Sequence, residues 1–201
     1  YMKDLRKRFA RFCFRNRDKG IPNLMLYVVL GNALVYILSM INEDYALYDI
    51  LCFNRELILQ GQVWRLLTYV FTYNPGNILI TLISFLCYFT LGRAMENAWG
   101  TFRFNLFYFT GVVLMDLFCM LFGGSATVYY LNMSLFLAYA TLFPDAQFMI
   151  LFVIPVKSWV LALIDLVMIL LGVINFFPYN FFPLIALANY FLFFGKDVLN
   201  V

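Results

Sequence analysis

The chain contains no histidine among its 201 residues. That excludes the zinc-protease motif with two helical histidines. It excludes Ser–His and Cys–His nucleophilic pairs, and histidine-ligated haem or copper. Charge is scarce too. Asp, Glu, Lys and Arg make up 12% of the chain, where a soluble domain carries about 25%. The four cysteines, Cys13, Cys52, Cys87 and Cys119, follow no metal-ligand spacing. Cys87 and Cys119 fall inside apolar runs, where a thiol acts as a small hydrophobe. No metal, cofactor, disulfide framework or nucleic-acid partner is expected.

What is there is apolar surface: 64% of the residues are hydrophobic. A chain of this length leaves much of its area outside any core, so the expected solvent is lipid. Backbone groups in lipid must be satisfied within helices or a closed barrel. A barrel shows alternating segments of about ten residues. Here the apolar runs are long and unbroken, so the expected class is all-α and polytopic. Residues 1–23 read as a basic tail and 24–201 as one membrane domain. No removable signal peptide is expected, because the first apolar stretch is long enough to span and lacks a small-residue cleavage site.

The tail carries Lys3, Arg6, Lys7, Arg8, Arg11, Arg15, Arg17 and Lys19 against Asp4 and Asp18, with Phe9, Phe12 and Phe14 interleaved. It reads either as an amphipathic segment on an anionic membrane surface or as a solvated tail that sets topology. Six spans are expected at 24–41, 66–91, 104–122, 128–143, 158–174 and 183–199, each near the length a bilayer requires. Asn74-Pro75-Gly76 breaks the second. Residues 62–73 then form an interfacial segment, and the crossing is 77–91. The run 148–154 ends at Pro155 and is too short to cross; it is expected to re-enter or lie along the surface. With the N-terminus inside, twelve of the fourteen Lys and Arg residues fall inside and only Arg55 and Arg65 outside. That bias places both termini in the cytoplasm. Glu43, Asp44, Asp49 and Glu56 fall in the proposed outer loop, about 42–65. Tyr45, Tyr48, Trp64, Trp99, Trp159 and Tyr179 stand near span ends, as an aromatic belt requires.

Few residues carry candidate chemistry. Ser125 in Gly123-Gly124-Ser125-Ala126 has no base nearby in sequence and reads as a turn. Asp116 and Asp165 lie inside apolar spans, where an ionisable group is a functional candidate. They read as ion or proton carriers in a transporter, or as hydrogen-bonded ties between helices. No paired broken helices favour the transporter. Asn132 and Asn189 lie at similar depth, about 6–9 Å in from the outer ends of their spans. A cross-helix hydrogen bond between them is expected. Ser134, Ala138 and Thr141 on one span, with Ala186 and Ala188 on the other, form small faces that let helices approach. Ile169 is expected to face lipid.

Several segments together resemble rhomboid proteins. Gly61-Gln62-Val63-Trp64-Arg65-Leu66-Leu67-Thr68 resembles the Trp-Arg segment of their membrane-embedded first loop. Gly92-Arg93-Ala94-Met95-Glu96, followed by Trp99-Gly100, resembles the Gly-x-x-x-Glu turn after their second span. Tyr108 and Gly111 fit the third span. Phe143-Pro144 and Ile154-Pro155-Val156-Lys157-Ser158-Trp159 resemble the connection from fourth to fifth span. The resemblance covers about residues 24–199 and implies a six-helix rhomboid-like bundle with an interfacial first loop. It implies structural roles for Trp64, Arg65, Gly92 and Glu96.

The catalytic positions of the family do not carry over. Its Gly-x-Ser-Gly slot aligns with Thr127-Val128-Tyr129-Tyr130, and its span-six histidine slot with Ala188. The His and Asn slots of span two align with Ile80 and Ser84. Tyr129, Ala188, Ile80 and Ser84 are therefore the vestigial active-site positions, and the chain resembles a pseudoprotease, not an enzyme. A non-catalytic member is expected to bind or chaperone other transmembrane helices. The client site is expected at Tyr129, Asn132, Met133, Asn189 and Tyr190, near the outer leaflet. A bacterial plasma membrane is the expected setting.

Overall fold

The computed structural model describes residues 8, 11–17, 19–41, 46–73, 76–150, 154–175 and 182–199. Several sequence features lie outside these residues: the tail positions Lys3, Asp4, Arg6, Lys7, Phe9 and Asp18, the loop residues Glu43, Asp44 and Tyr45, the Asn74-Pro75 pair, Tyr179, and 151–153 of the short apolar run.

The described chain is mostly helical. The first long helix, α1 (Leu24–Ile41), has no proline and one internal glycine, and coincides with the first expected span. The loop after it folds into three short helices: α2 (Ala46–Leu51), α3 (Arg55–Leu59) and α4 (Arg65–Thr68), with a 3-10 turn over Tyr69–Phe71. Asn54 caps α3, its side chain accepting from the Leu57 N–H at 3.1 Å.

Helix α5 (Ile78–Trp99) starts on the Asn77 cap, whose side chain accepts from Leu79 N at 2.9 Å. It runs further than expected. Gly92 to Glu96 lie within the helix, not in a turn, because Ala94, Met95 and Glu96 are good helix formers. The turn comes at Gly100 (φ 82°). Gly92 serves close packing instead: a Cβ there would meet Met25 Cβ at 2.5 Å. The next helix, α6 (Thr101–Phe122), begins at once and ends at Gly123, where φ is 80°. Gly124 is also left-handed, so Gly123 and Gly124 form the turn read from the sequence, with Ser125 exposed on it.

Helix α7 (Val128–Leu142) follows. Two strands, β1 (Gln147–Ile150) and β2 (Ile154–Lys157), then form an antiparallel pair with Met149 opposite Pro155. The short apolar run is thus a hairpin, where a re-entrant or surface segment was expected. Its β-branched Ile150, Ile154 and Val156 suit strands, and pairing satisfies a backbone too short to cross. Phe148 anchors the hairpin on Phe136 and Tyr139 of α7. Helix α8 (Ser158–Asn175) begins where the Ser158 hydroxyl donates to the Phe143 and Pro144 carbonyls. The last helix is α9 (Phe182–Leu199).

The bundle is centred on α7, which packs against α9, α8, α5 and α6. Nine residues of α7 are buried, among them Leu135 and Ala138 with no exposed surface. Trp99 stacks on Phe194 of α9 at 4.9 Å and lies under the Arg103 guanidinium. It therefore joins α5, α6 and α9 and is not simply an interfacial ring.

Two polar clamps hold the loops to the bundle ends. Arg65, only 4% exposed, donates to the carbonyls of Asp49 at 2.6 Å and Cys52 at 2.8 Å, and to Gln62 at 2.8 Å. Its planar fork ties α2 and α4 together. Trp64, next to it, is half exposed at the start of α4. Glu96 accepts from Asn23 N at 3.0 Å and from the Thr101 hydroxyl at 2.8 Å. It ties the start of α1 to the α5–α6 turn. The two charges stand in separate clamps and do not pair.

Candidate functional site

Asn32 positions the first wall of the site. Its amide donates to the Val28 and Val70 carbonyls at 2.9 Å each, and its carbonyl accepts from Tyr73 N at 2.9 Å. One buried asparagine so satisfies the broken backbone of the loop inside α1. The sequence signal was a lone amide in an apolar span, and the reading above did not use it. Tyr48 also anchors this loop, donating to the Thr72 carbonyl at 2.7 Å. Burial holds its phenol above the usual range, so it remains a donor.

With the loop fixed, Tyr73 stands over α5. Its hydroxyl is 3.2 Å from Ser84 Oγ, and its ring packs edge-on against Tyr88 at 5.7 Å. Tyr129, at the start of α7, lies within electrostatic reach of Tyr73 and, on the other side, of Asp165 on α8. Tyr129 is 49% exposed. Helices α5 and α8 both pack on α7 and hardly on each other. Tyr73, Ser84, Tyr88, Tyr129 and Asp165 thus gather on one side of the bundle, around the start of α7. The Asp165 Oδ2 atom is buried there without a hydrogen-bond partner.

The other expected client-site residues are elsewhere. Asn132, Met133, Asn189 and Tyr190 are buried inside the bundle. Asn189, 1% exposed, donates from Nδ2 to Ser134 Oγ at 2.9 Å, not to Asn132 as expected. Helical geometry explains the change. Residues 132 and 134 lie on different faces of α7, and the one facing α9 is Ser134. Gly111 of α6 completes the contact: a Cβ there would lie 2.8 Å from Asn189 Nδ2 and 2.5 Å from Leu131 Cδ1. Tyr190 is held by a 2.7 Å hydrogen bond to Thr141 Oγ1. A cavity of about 10 Å³, one water in size, lies among Gly111, Ser134 and Asn189.

The vestigial positions scatter. Ile80 faces outward, 53% exposed. Ala188 is exposed as well, and its neighbour Asn189 takes the inward place. Ser84 and Tyr129 alone of the four fall in the group around Tyr73. Ile169, expected to face lipid, is 1% exposed, because it lies on the face of α8 turned into the bundle.

The two aspartates of the apolar helices α6 and α8 occupy different surroundings. Asp116 is near Tyr69 and Cys119, and Asp165 is near Tyr129. No hydrogen bond or ion pair joins them. Among the described residues, no group of three His, Cys, Asp or Glu side chains is placed to hold a metal.

Three helices, α1, α5 and α6, have the length and hydropathy to cross a bilayer, and α7, α8 and α9 contain shorter apolar helices. By length and composition this is a membrane protein, mostly helical, with a buried serine–asparagine pair between two of its helices. No family model matches the chain, and no curated protein matches it.

Proposed function

We propose that this chain is a rhomboid-like membrane protein without proteolytic activity, which binds the transmembrane helices of other proteins. It crosses the bilayer six times, with both termini in the cytoplasm. The client meets the surface between α5 and α8, where Tyr129 is half exposed. Tyr73, Tyr88 and Tyr129 offer broad apolar faces with polar tips. Asp165 offers an acceptor to a client side chain that carries a donor.

The observation that carries the reading is the environment of Ser134. Its hydroxyl is buried against the Asn189 amide, and an amide nitrogen cannot take up a proton. Nucleophilic serine chemistry needs a base within hydrogen-bond reach. That environment supports a reading without proteolytic activity. The inside placement of the N-terminus rests on the eight Lys and Arg residues gathered before α1.

A photo-crosslinking amino acid in place of Tyr129, with a control in place of Leu121, tests the reading in native membranes. Leu121 is 72% exposed at the corresponding end of α6. Reproducible capture of proteins with a transmembrane segment at position 129 and not at 121 is the expected result. Equal or absent capture at both rejects client binding. Stoichiometric labelling of any serine by a fluorophosphonate rejects the non-catalytic assignment.

A further inference from the structure

A concave surface lies between α1 and α6. It is a groove of about 310 Å³ with a wholly apolar lining, within the size of ordinary ligand sites. Leu24 and Val28 form one wall, Phe109 and Val112 the other, and Leu67 and Phe71 of the first loop close its far end. Helices α1 and α6 hardly touch, so the groove stays open to the side. It is built from tied parts. Phe71 packs against Gly31, where a Cβ would meet its ring at 2.4 Å. Asn32 fixes the same loop through the Val70 carbonyl.

One end of the groove, its mouth, adjoins the basic segment that precedes α1. Ile21 lines it, and the Ile21 carbonyl accepts from Asn105 Nδ2 on the first turns of α6 at 3.0 Å. Gly20 lies against the same asparagine with φ 122°. This pins the segment that carries Lys19 at the mouth. Arg11, Arg15, Arg17 and Lys19 are all exposed, and no acidic residue among the described ones forms an ion pair with them. The acidic Glu96 at this end is already engaged by Asn23 and Thr101. Tyr27 stands exposed one turn in from the mouth, at the depth where aromatic rings favour the headgroup boundary.

We infer that the groove is a specific site for one anionic phospholipid, an acyl chain lying between α1 and α6 and the phosphate against Lys19 and the basic segment that precedes it. An apolar channel of this size excludes water and accepts hydrocarbon at little cost. A cluster of basic side chains at its membrane-surface end selects a negative headgroup. The lipid would brace α1 against α6 where protein contacts are few. The site is independent of client binding and shares no lining residue with the proposed client surface between α5 and α8.

Native mass spectrometry of the purified full chain tests this with phosphatidylglycerol and phosphatidylcholine of identical chains. One phosphatidylglycerol should bind at least tenfold more tightly than phosphatidylcholine. Arg15→Gln with Lys19→Gln should weaken phosphatidylglycerol by about fivefold per charge removed and leave phosphatidylcholine unchanged. Leu67→Trp, at a half-exposed position lining the groove, should weaken both lipids. Leu121→Trp should weaken neither. A melting curve for each variant verifies that it is folded. Equal affinity for the two lipids overturns the headgroup assignment, and unchanged binding in Leu67→Trp overturns the groove as the site.

Discussion

The Asn189 amide donates to the Ser134 hydroxyl across 2.9 Å, joining α9 to α7 at a point where both residues are almost wholly buried. Interhelical hydrogen bonds of this kind contribute about 0.6–2 kcal/mol in a membrane. Asn189→Leu and Ser134→Ala should each lower stability in detergent by about that amount. The double variant should lose less than the sum, because the two residues share one interaction. Fully additive losses in a double-mutant cycle would sink the pair as an energetic unit.

Gly111 lets that pair form. An alanine methyl at this position would push on Leu131 and on the Asn189 amide, and overpacking costs about 1–3 kcal/mol. The penalty of Gly111→Ala should shrink when Asn189 is already alanine. Gly92→Ala should cost more than Gly111→Ala. There the obstacle is Met25 Cβ, which moves only with the backbone of α1. Thermal melts of the three variants in one detergent would settle the order.

Arg65 and Glu96 each hold a loop through charge-assisted hydrogen bonds, which contribute about 1.5–3 kcal/mol. Arg65→Ala and Glu96→Ala should both melt earlier than the parent chain. Arg65→Lys should recover little, since an ammonium cannot reproduce the planar fork that reaches Asp49, Cys52 and Gln62. Parent-like melting of Arg65→Lys would mean that charge alone matters at this site.

The proposed topology places α3 outside the cell and Lys19 inside. With Cys52 changed to serine, a cysteine at the exposed position Gln60 should react with a membrane-impermeant maleimide on intact cells. A cysteine at Lys19 should react only after lysis. The reverse pattern would invert the whole bundle.

Composition and run length alone determined that the chain is helical and apolar enough for lipid, because backbone groups in hydrocarbon leave few other options. The limits of α1, α7 and α8 were legible to within a residue or so, since Gly, Pro and cap residues punctuate apolar runs. The break before α5 was legible for the same reason. The hairpin at 147–157 was not, because a short apolar run has no period that separates strand from helix. Nor was the continuation of α5 past Gly92, since a glycine that lets Met25 approach looks in sequence like a glycine that ends a helix. Depth along a span could be counted, but rotation about the helix axis could not. A hundred degrees of rotation per residue separates the exposed Ala188 from the buried Asn189, and Asn132 from the Ser134 that Asn189 meets. Only packing of α7 against four neighbours fixed those rotations. It brought Ser84 and Tyr129 to one side of the bundle near Tyr73, turned Ile80 outward and Ile169 inward, and left the groove between α1 and α6 open.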